Sequence, residues 1–146
     1  MDHHTPEPRT LRVRSVTPAR LPVIPDARGS LSFAETGTHL PFTPQRYFLI
    51  YGVREDAVRG EHAHRALHQY MVCVHGACTL ALDDGAARDE IVLDSPGLGL
   101  HIPPMLWTTL RPHSPEATIL VLASDVFEEA DYIRDYDEFL RLVRAR

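Results

Sequence analysis

The chain has 146 residues, with 15 Lys and Arg against 20 Asp and Glu, for a formal charge of −5. That acidic balance, with no dense Lys/Arg block, argues against nucleic-acid binding, and no apolar stretch approaches the ~18 residues of a membrane span. A hydrophobic content of 44% and a charged content of 24% describe one globular domain large enough to bury a core.

Residues 1–10 are polar and Pro-containing and read as a flexible arm. They show no basic segment leading into an apolar one, so no secretory leader is expected and a cytoplasmic protein is the default. Residues 11–146 read as a single domain of short β-type runs. The expected strands are Arg12–Val16, Ser30–Glu35, Arg46–Tyr51, His62–His64, Gln69–His75, Cys78–Leu82, Glu90–Leu93, Gly99–Ile102, Trp107–Arg111 and Thr118–Leu122. Asp83-Asp84-Gly85 signals a hairpin, and His75-Gly76-Ala77 a second reversal. Pro103-Pro104 marks a strand end, because proline cannot donate to a central ladder. From Asp131 to about residue 144, Tyr132, Ile133, Tyr136, Leu140 and Val143 recur at helical spacing, with acids early and arginines late, as a helix dipole favours. Cys73 and Cys78 lie in apolar strand sequence without C-x-x-C spacing and read as buried reduced thiols. The fold expected is all-β, a cupin-type jelly-roll barrel with one C-terminal helix.

Nine histidines are many for this length, and two stand in Gly60-Glu61-His62-Ala63-His64. On a strand His62 and His64 share a face about 7 Å apart. Two such imidazoles can hold a metal or move protons near neutral pH. Metal-binding cupins follow a His-x-His with a Glu and add a third His later. Here the Glu position holds His68 or Gln69, and no His stands in Pro103–Thr108. Gln is a poor ligand, and His68 on a regular strand would stand too far along to join a chelate. No metal is expected.

The chain resembles the sugar-nucleotide 3,4-ketoisomerases, metal-free cupins acting on dTDP-4-keto-6-deoxyglucose. The matching residues run from about Pro25 to about Leu140. They are Asp26-x-Arg28-Gly29-x-Leu31, Arg46-Tyr47-Phe48-Leu49-Ile50-Tyr51, Arg59-Gly60-x-His62-Ala63-His64-Arg65, Gln69, Cys73, Gly76, Leu82-Asp83-Asp84-Gly85, Leu93-Asp94-Ser95-Pro96, Pro103-Pro104, Trp107, Leu122-Ala123-Ser124-Asp125 and Asp131-Tyr132-Ile133-Arg134-x-Tyr136. Members often carry His after the Trp. Thr108 stands there in this chain and can only hydrogen-bond.

The resemblance implies a homodimer exchanging N-terminal strands, a dTDP-sugar in each barrel, and no metal, nicotinamide or other cofactor. It also implies movement of a carbonyl from C4 to C3 through an enediol, which needs a base, an acid and oxyanion donors. His64 is the first choice for the base at C3 and His62 for its partner, and the order can be reversed. Tyr51 is a candidate hydroxyl donor. Arg59 is placed to fork a diphosphate, with an ion pair to Glu55 or Asp56 as the plain alternative. Arg28 and Arg46 are further phosphate candidates. Trp107 is a candidate pocket wall or a core residue, and Gln69 a partner for a histidine or the sugar. Competing readings are a cupin 3,5-epimerase, a metal-dependent cupin and a non-catalytic sugar-nucleotide binding module.

Overall fold

Alternating apolar residues force the chain into paired sheets. The computed structural model describes residues 10–146, so the expected arm lies, apart from Thr10, outside the described residues. The strands are β1 (Pro18–Arg20), β2 (Val23–Asp26), β3 (Gly29–Ser32), β4 (Arg46–Ile50), β5 (Arg59–His64), β6 (Gln69–His75), β7 (Cys78–Asp83), β8 (Arg88–Leu93), β9 (Leu98–Ile102), β10 (Trp107–Pro112), β11 (Thr118–Ala123) and β12 (Tyr132–Ile133). One helix, α1 (Tyr136–Arg144), follows. Two five-stranded antiparallel sheets, ordered β1-β9-β6-β11-β4 and β12-β5-β10-β7-β8, face each other as a jelly roll, and β2-β3 pair only with one another.

The odd residues Met71 and Cys73 of β6, and Ile119 and Val121 of β11, point inward to meet Leu80, Leu82 and Leu110 from the other sheet. Full burial of each such aliphatic side chain contributes about 1.5–3 kcal/mol. The even residues of β6 face out, where Tyr70 and Val72 pack with Leu21 and Leu40. Outside the second sheet, α1 seats Phe139 against Ala63 and Ile133.

Several elements differ from expectation: β1 and β2 stand where no strand is expected, and the expected Ser30–Glu35 is β3, which ends at Ser32. Arg12–Val16 forms turns, not a strand. Its apolar residues Val13 and Val16 are buried, but the Arg12 N–H donates to the Asp89 carboxylate at 2.7 Å in place of a ladder partner. The helix starts at Tyr136, with Asp135 as N-cap accepting from the Glu138 N–H at 2.9 Å. Tyr132 and Ile133 instead form β12, paired with His64 and Ala63 at the edge of β5. The hairpin at Asp83–Gly85 and the reversal at Gly76 are both present, and Cys73 and Cys78 are free, buried thiols.

Candidate active site

The site begins with a bulge. Gly60 and Glu61 both adopt positive φ, 86° and 56°, and the β5–β10 register slips between Thr108 and Thr109. Such a bulge increases local twist and redirects the side chains that follow. A Cβ on Gly60 would stand 2.9 Å from the Thr108 carbonyl oxygen, so only glycine fits. Beyond it His62 pairs with Thr108 and His64 with Tyr132, and Ala63 turns outward under α1.

His62 lines a cavity of about 460 Å³ inside the open end of the barrel. Gln69 and Thr108 form its polar wall, Met71, Leu80 and Leu110 its floor, and Arg46, Arg59 and Arg134 its cationic side. The His62 Nδ1–H donates to the Gly60 carbonyl at 3.0 Å. That fixes the tautomer and leaves Nε2 as an unprotonated acceptor. Burial is the main force lowering the His62 pKa below its ordinary value; the Gly60 bond opposes it, and Arg134 and Arg59 add to the lowering. A neutral imidazole near pH 7 follows.

His64 lies deeper. It is 5% exposed, its ring meets that of His62 edge-on at 4.9 Å, and its Nδ1–H donates to Asp131 Oδ2 at 2.9 Å. Its Nε2 is buried without a partner among the described residues. Burial, then the neighbouring His62, pull its pKa down to about 4 against the pull of Asp131. Tyr132 touches both rings, at 5.0 and 4.5 Å, and Arg134 stacks on Tyr132 at 4.2 Å while its guanidinium binds Glu129.

Of the residues singled out from sequence, His62, Arg46, Arg59, Gln69 and Thr108 line the cavity, and His64 backs it. Arg54, not Arg59, pairs with Asp56. Three candidates are elsewhere. Tyr51 is 69% exposed, because Phe48 and Ile50 take the inward positions of β4 and turn its neighbour outward. Trp107 is on the outer face against Tyr136 and Phe139, so it is helix packing and not a wall of this cavity. Arg28 is at the β2–β3 turn, 91% exposed and paired with Asp26. His68 and His101 bond each other, Nδ1 to Nε2 at 2.9 Å, with stacked rings. The inward Leu100 and Ile102 put His101 on the outer face, so His68 is not a ligand beside His62. No cluster of three or more His, Cys, Asp or Glu among the described residues is arranged to hold a metal ion. Sequence reasoning misses Asp131, Tyr132 and Arg134 as site residues. The one signal available is that all three fall in one motif, which helical periodicity claims first.

A groove of about 530 Å³ also crosses the outer face of β7, β8 and β10. Its polar groups are engaged with each other, with Arg88 and Tyr136 both on Asp83, and no histidine lines it.

Residues 14–144 match the FdtA family, described as WxcM-like, C-terminal. A TDP-4-oxo-6-deoxy-alpha-D-glucose-3,4-oxoisomerase of Aneurinibacillus thermoaerophilus is 42% identical over 118 residues, covering 81% of this chain and 85% of the relative. The chain belongs to the sugar-nucleotide 3,4-ketoisomerase family. Solved ketoisomerases share its fold closely. QdtA of Thermoanaerobacterium thermosaccharolyticum, solved in complex with TDP, superposes with a TM-score of 0.88 at 32% identity, over 92% of this chain and 98% of its own. The TDP-quinovose 3,4-ketoisomerase WlaRB of Campylobacter jejuni does so with a TM-score of 0.84 at 38% identity, over 88% and 99%. The ketoisomerase fold therefore spans nearly the whole chain.

Proposed function

We propose that this protein moves the keto group of dTDP-4-keto-6-deoxyglucose from C4 to C3, with His62 as the base. The observation that carries the reading is an imidazole pinned through Nδ1, with Nε2 as its unprotonated nitrogen, in a cavity with a polar wall, an aliphatic floor and three flanking arginines. The proton on C3 is acidified by the adjacent ketone, and Nε2 takes it. Electrons from the C3–H bond form the C3–C4 double bond of an enediolate whose oxygen is the former C4 carbonyl. The C3 hydroxyl proton passes to the C4 oxygen, and return of the proton from His62 to C4 leaves the carbonyl on C3 and a hydroxyl on C4, with atoms and charge balanced. Thr108 and Gln69 suit hydrogen bonding to the sugar oxygens. Arg46 and Arg59 suit the diphosphate, since guanidinium forks match phosphate oxygens, while Arg134, held by Glu129, adds positive charge beside them. Low polarity at the cavity floor keeps water from the enediolate.

The choice of His62 over His64 rests on depth, since Asp131 holds His64 behind the cavity wall. The neutral Gln69, where a metal-binding cupin carries a carboxylate, supports a metal-independent reaction. The two reduced thiols fit a reducing compartment, in line with a cytoplasmic enzyme. A homodimer with exchanged N-terminal strands is supported by the hairpin β2-β3, which pairs with no other strand of the described residues and exposes Val23, Ile24 and Leu31. Arg28 does not line its own cavity. A substrate role for it requires delivery to the partner's cavity.

Proton NMR of dTDP-4-keto-6-deoxyglucose in D₂O with metal-stripped protein tests the reading. New 3-keto signals with deuterium at the reacting carbons are expected, and no turnover with a His62→Asn variant. Exchange at C3 and C5 without a 3-keto product would indicate an epimerase, and turnover only after adding a divalent ion a metalloenzyme. Ligand binding with no turnover would indicate a binding module.

A further inference from the structure

Asp131 is fixed more tightly than a surface acid needs to be. It closes the 3-10 turn Glu129–Asp131, and its backbone oxygen accepts from the Arg65 N–H at 2.9 Å. Its own N–H donates to Glu128 O at 3.1 Å. Its Oδ1 accepts from the Ala66 N–H at 2.7 Å, which leaves Oδ2 for His64 Nδ1 at 2.9 Å. Both bonds to the carboxylate come from donors, so the group can only accept at either oxygen. His64 is consequently held with its proton on Nδ1 and its lone pair on the buried, unpartnered Nε2.

We propose that Asp131 is a positioning residue of the reaction, acting through His64 to hold and electrostatically support His62. The proposal rests on the reading of His62 as base. His64 is the edge-on wall against which the His62 ring lies. When His62 takes the C3 proton it becomes a cation within a cavity already flanked by Arg59 and Arg134. The Asp131 carboxylate, one imidazole away through the His64 Nδ1 bond, adds a negative charge behind that cation. The groups facing His64 are His62 of β5, Tyr132 of β12 and Arg46 of β4, with Asp125, Glu128 and Asp131 on the segment leading into β12.

An Asp131→Asn variant separates this role from a structural one. Asn presents one acceptor and one donor. With the Ala66 N–H fixed, the amide oxygen must stay there and the NH₂ must face His64 Nδ1. His64 is then driven to the Nε2–H tautomer. In ¹⁵N NMR of the unliganded protein, the unprotonated His64 ring nitrogen is expected to be Nε2 in the wild type and Nδ1 in the variant. Turnover is expected to fall about 100-fold in kcat with KM nearly unchanged. The acidic limb of the kcat/KM profile is expected to move to lower pH, because His62 loses its supporting charge. In a His64→Asn background the same substitution should cost little more, since its route is gone.

A wild-type spectrum showing Nε2–H on His64 overturns the proposal without any variant, so misfolding of the Asp131→Asn protein would not shelter it. An unmoved pH limb, or additive losses in the double variant, also overturns it. Absent wild-type turnover would sink the isomerase reading and with it the catalytic consequence, while the substrate-free spectrum still decides the tautomer lock.

Discussion

His64 is a buried base that stays neutral, and its protonation equilibrium is coupled to folding. Its pKa falls from 6.5 to about 4 in the folded protein, chiefly through burial. The unfolded chain therefore binds a proton below pH 6.5 that the folded chain refuses until near pH 4. Stability rises with pH across that window and is lost as pH falls through it. The loss from this one residue is about 3 kcal/mol at the acidic end. His62 and His101 are depressed too, again mainly by burial, and push the same way. Urea unfolding at pH 7.5, 6.0 and 4.5 measures this directly. A steep fall for the wild type and a shallower one for His64→Gln are expected; parallel curves would mean that His64 is not buried neutral. The depth of His64 is not legible in the sequence. Strand parity puts both histidines on one face, and what distinguishes them is a carboxylate 67 positions away in the chain.

At the scale of elements, the bulge at Gly60 does what a regular strand cannot. It supplies the carbonyl that fixes the His62 tautomer and the register slip that sets His62 opposite Thr108. Gly60→Ala would force a Cβ to 2.9 Å from the Thr108 carbonyl oxygen at a φ of +86°. The expected cost is about 1–3 kcal/mol, with turnover falling further than stability because the His62 anchor moves. Thermal unfolding alongside kcat checks it. Wild-type values for both would show that β5 runs straight. Strands β6 to β11 are readable because each is a short β-type run with Gly, Pro or Asp at or within two residues of its end. Arg12–Val16 imitates a strand in its pattern, but a side chain, Asp89, satisfies its backbone. Tyr132 and Ile133 imitate a helix because their spacing to Tyr136 and Leu140 fits helical periodicity equally well. Only pairing with His64 and Ala63 makes them a strand. That single ambiguity hides Asp131, Tyr132 and Arg134 from a sequence reading of the site.

At the scale of the whole molecule, two of the exposed apolar patches bear on assembly. The hairpin β2-β3 exposes Val23, Ile24 and Leu31, and the outer face of β4 exposes Tyr47 and Leu49, with Tyr51 just beyond it. A two-stranded hairpin standing alone is at best marginally stable in water, and an open, apolar edge strand invites pairing. The exchanged-hairpin dimer proposed above predicts that these surfaces are covered by a second copy, and the exposed positions of Tyr51 and Arg28 fit that proposal. Light scattering is expected to give twice the 16.5 kDa chain mass. Ile24→Asp with Leu31→Asp, which places two charges on the exposed strands and leaves the cavity untouched, is expected to give a monomer with a lower, concentration-independent Tm. If Arg28 works in the partner's cavity, that monomer loses turnover although His62 and its surroundings are intact. Mixing two inactive dimers, one Arg28→Ala and one His62→Asn, then restores up to a quarter of wild-type activity as subunits re-pair. A wild-type monomer at micromolar concentration would refute the exchange, and a fully active double-Asp monomer would show that each barrel is complete by itself.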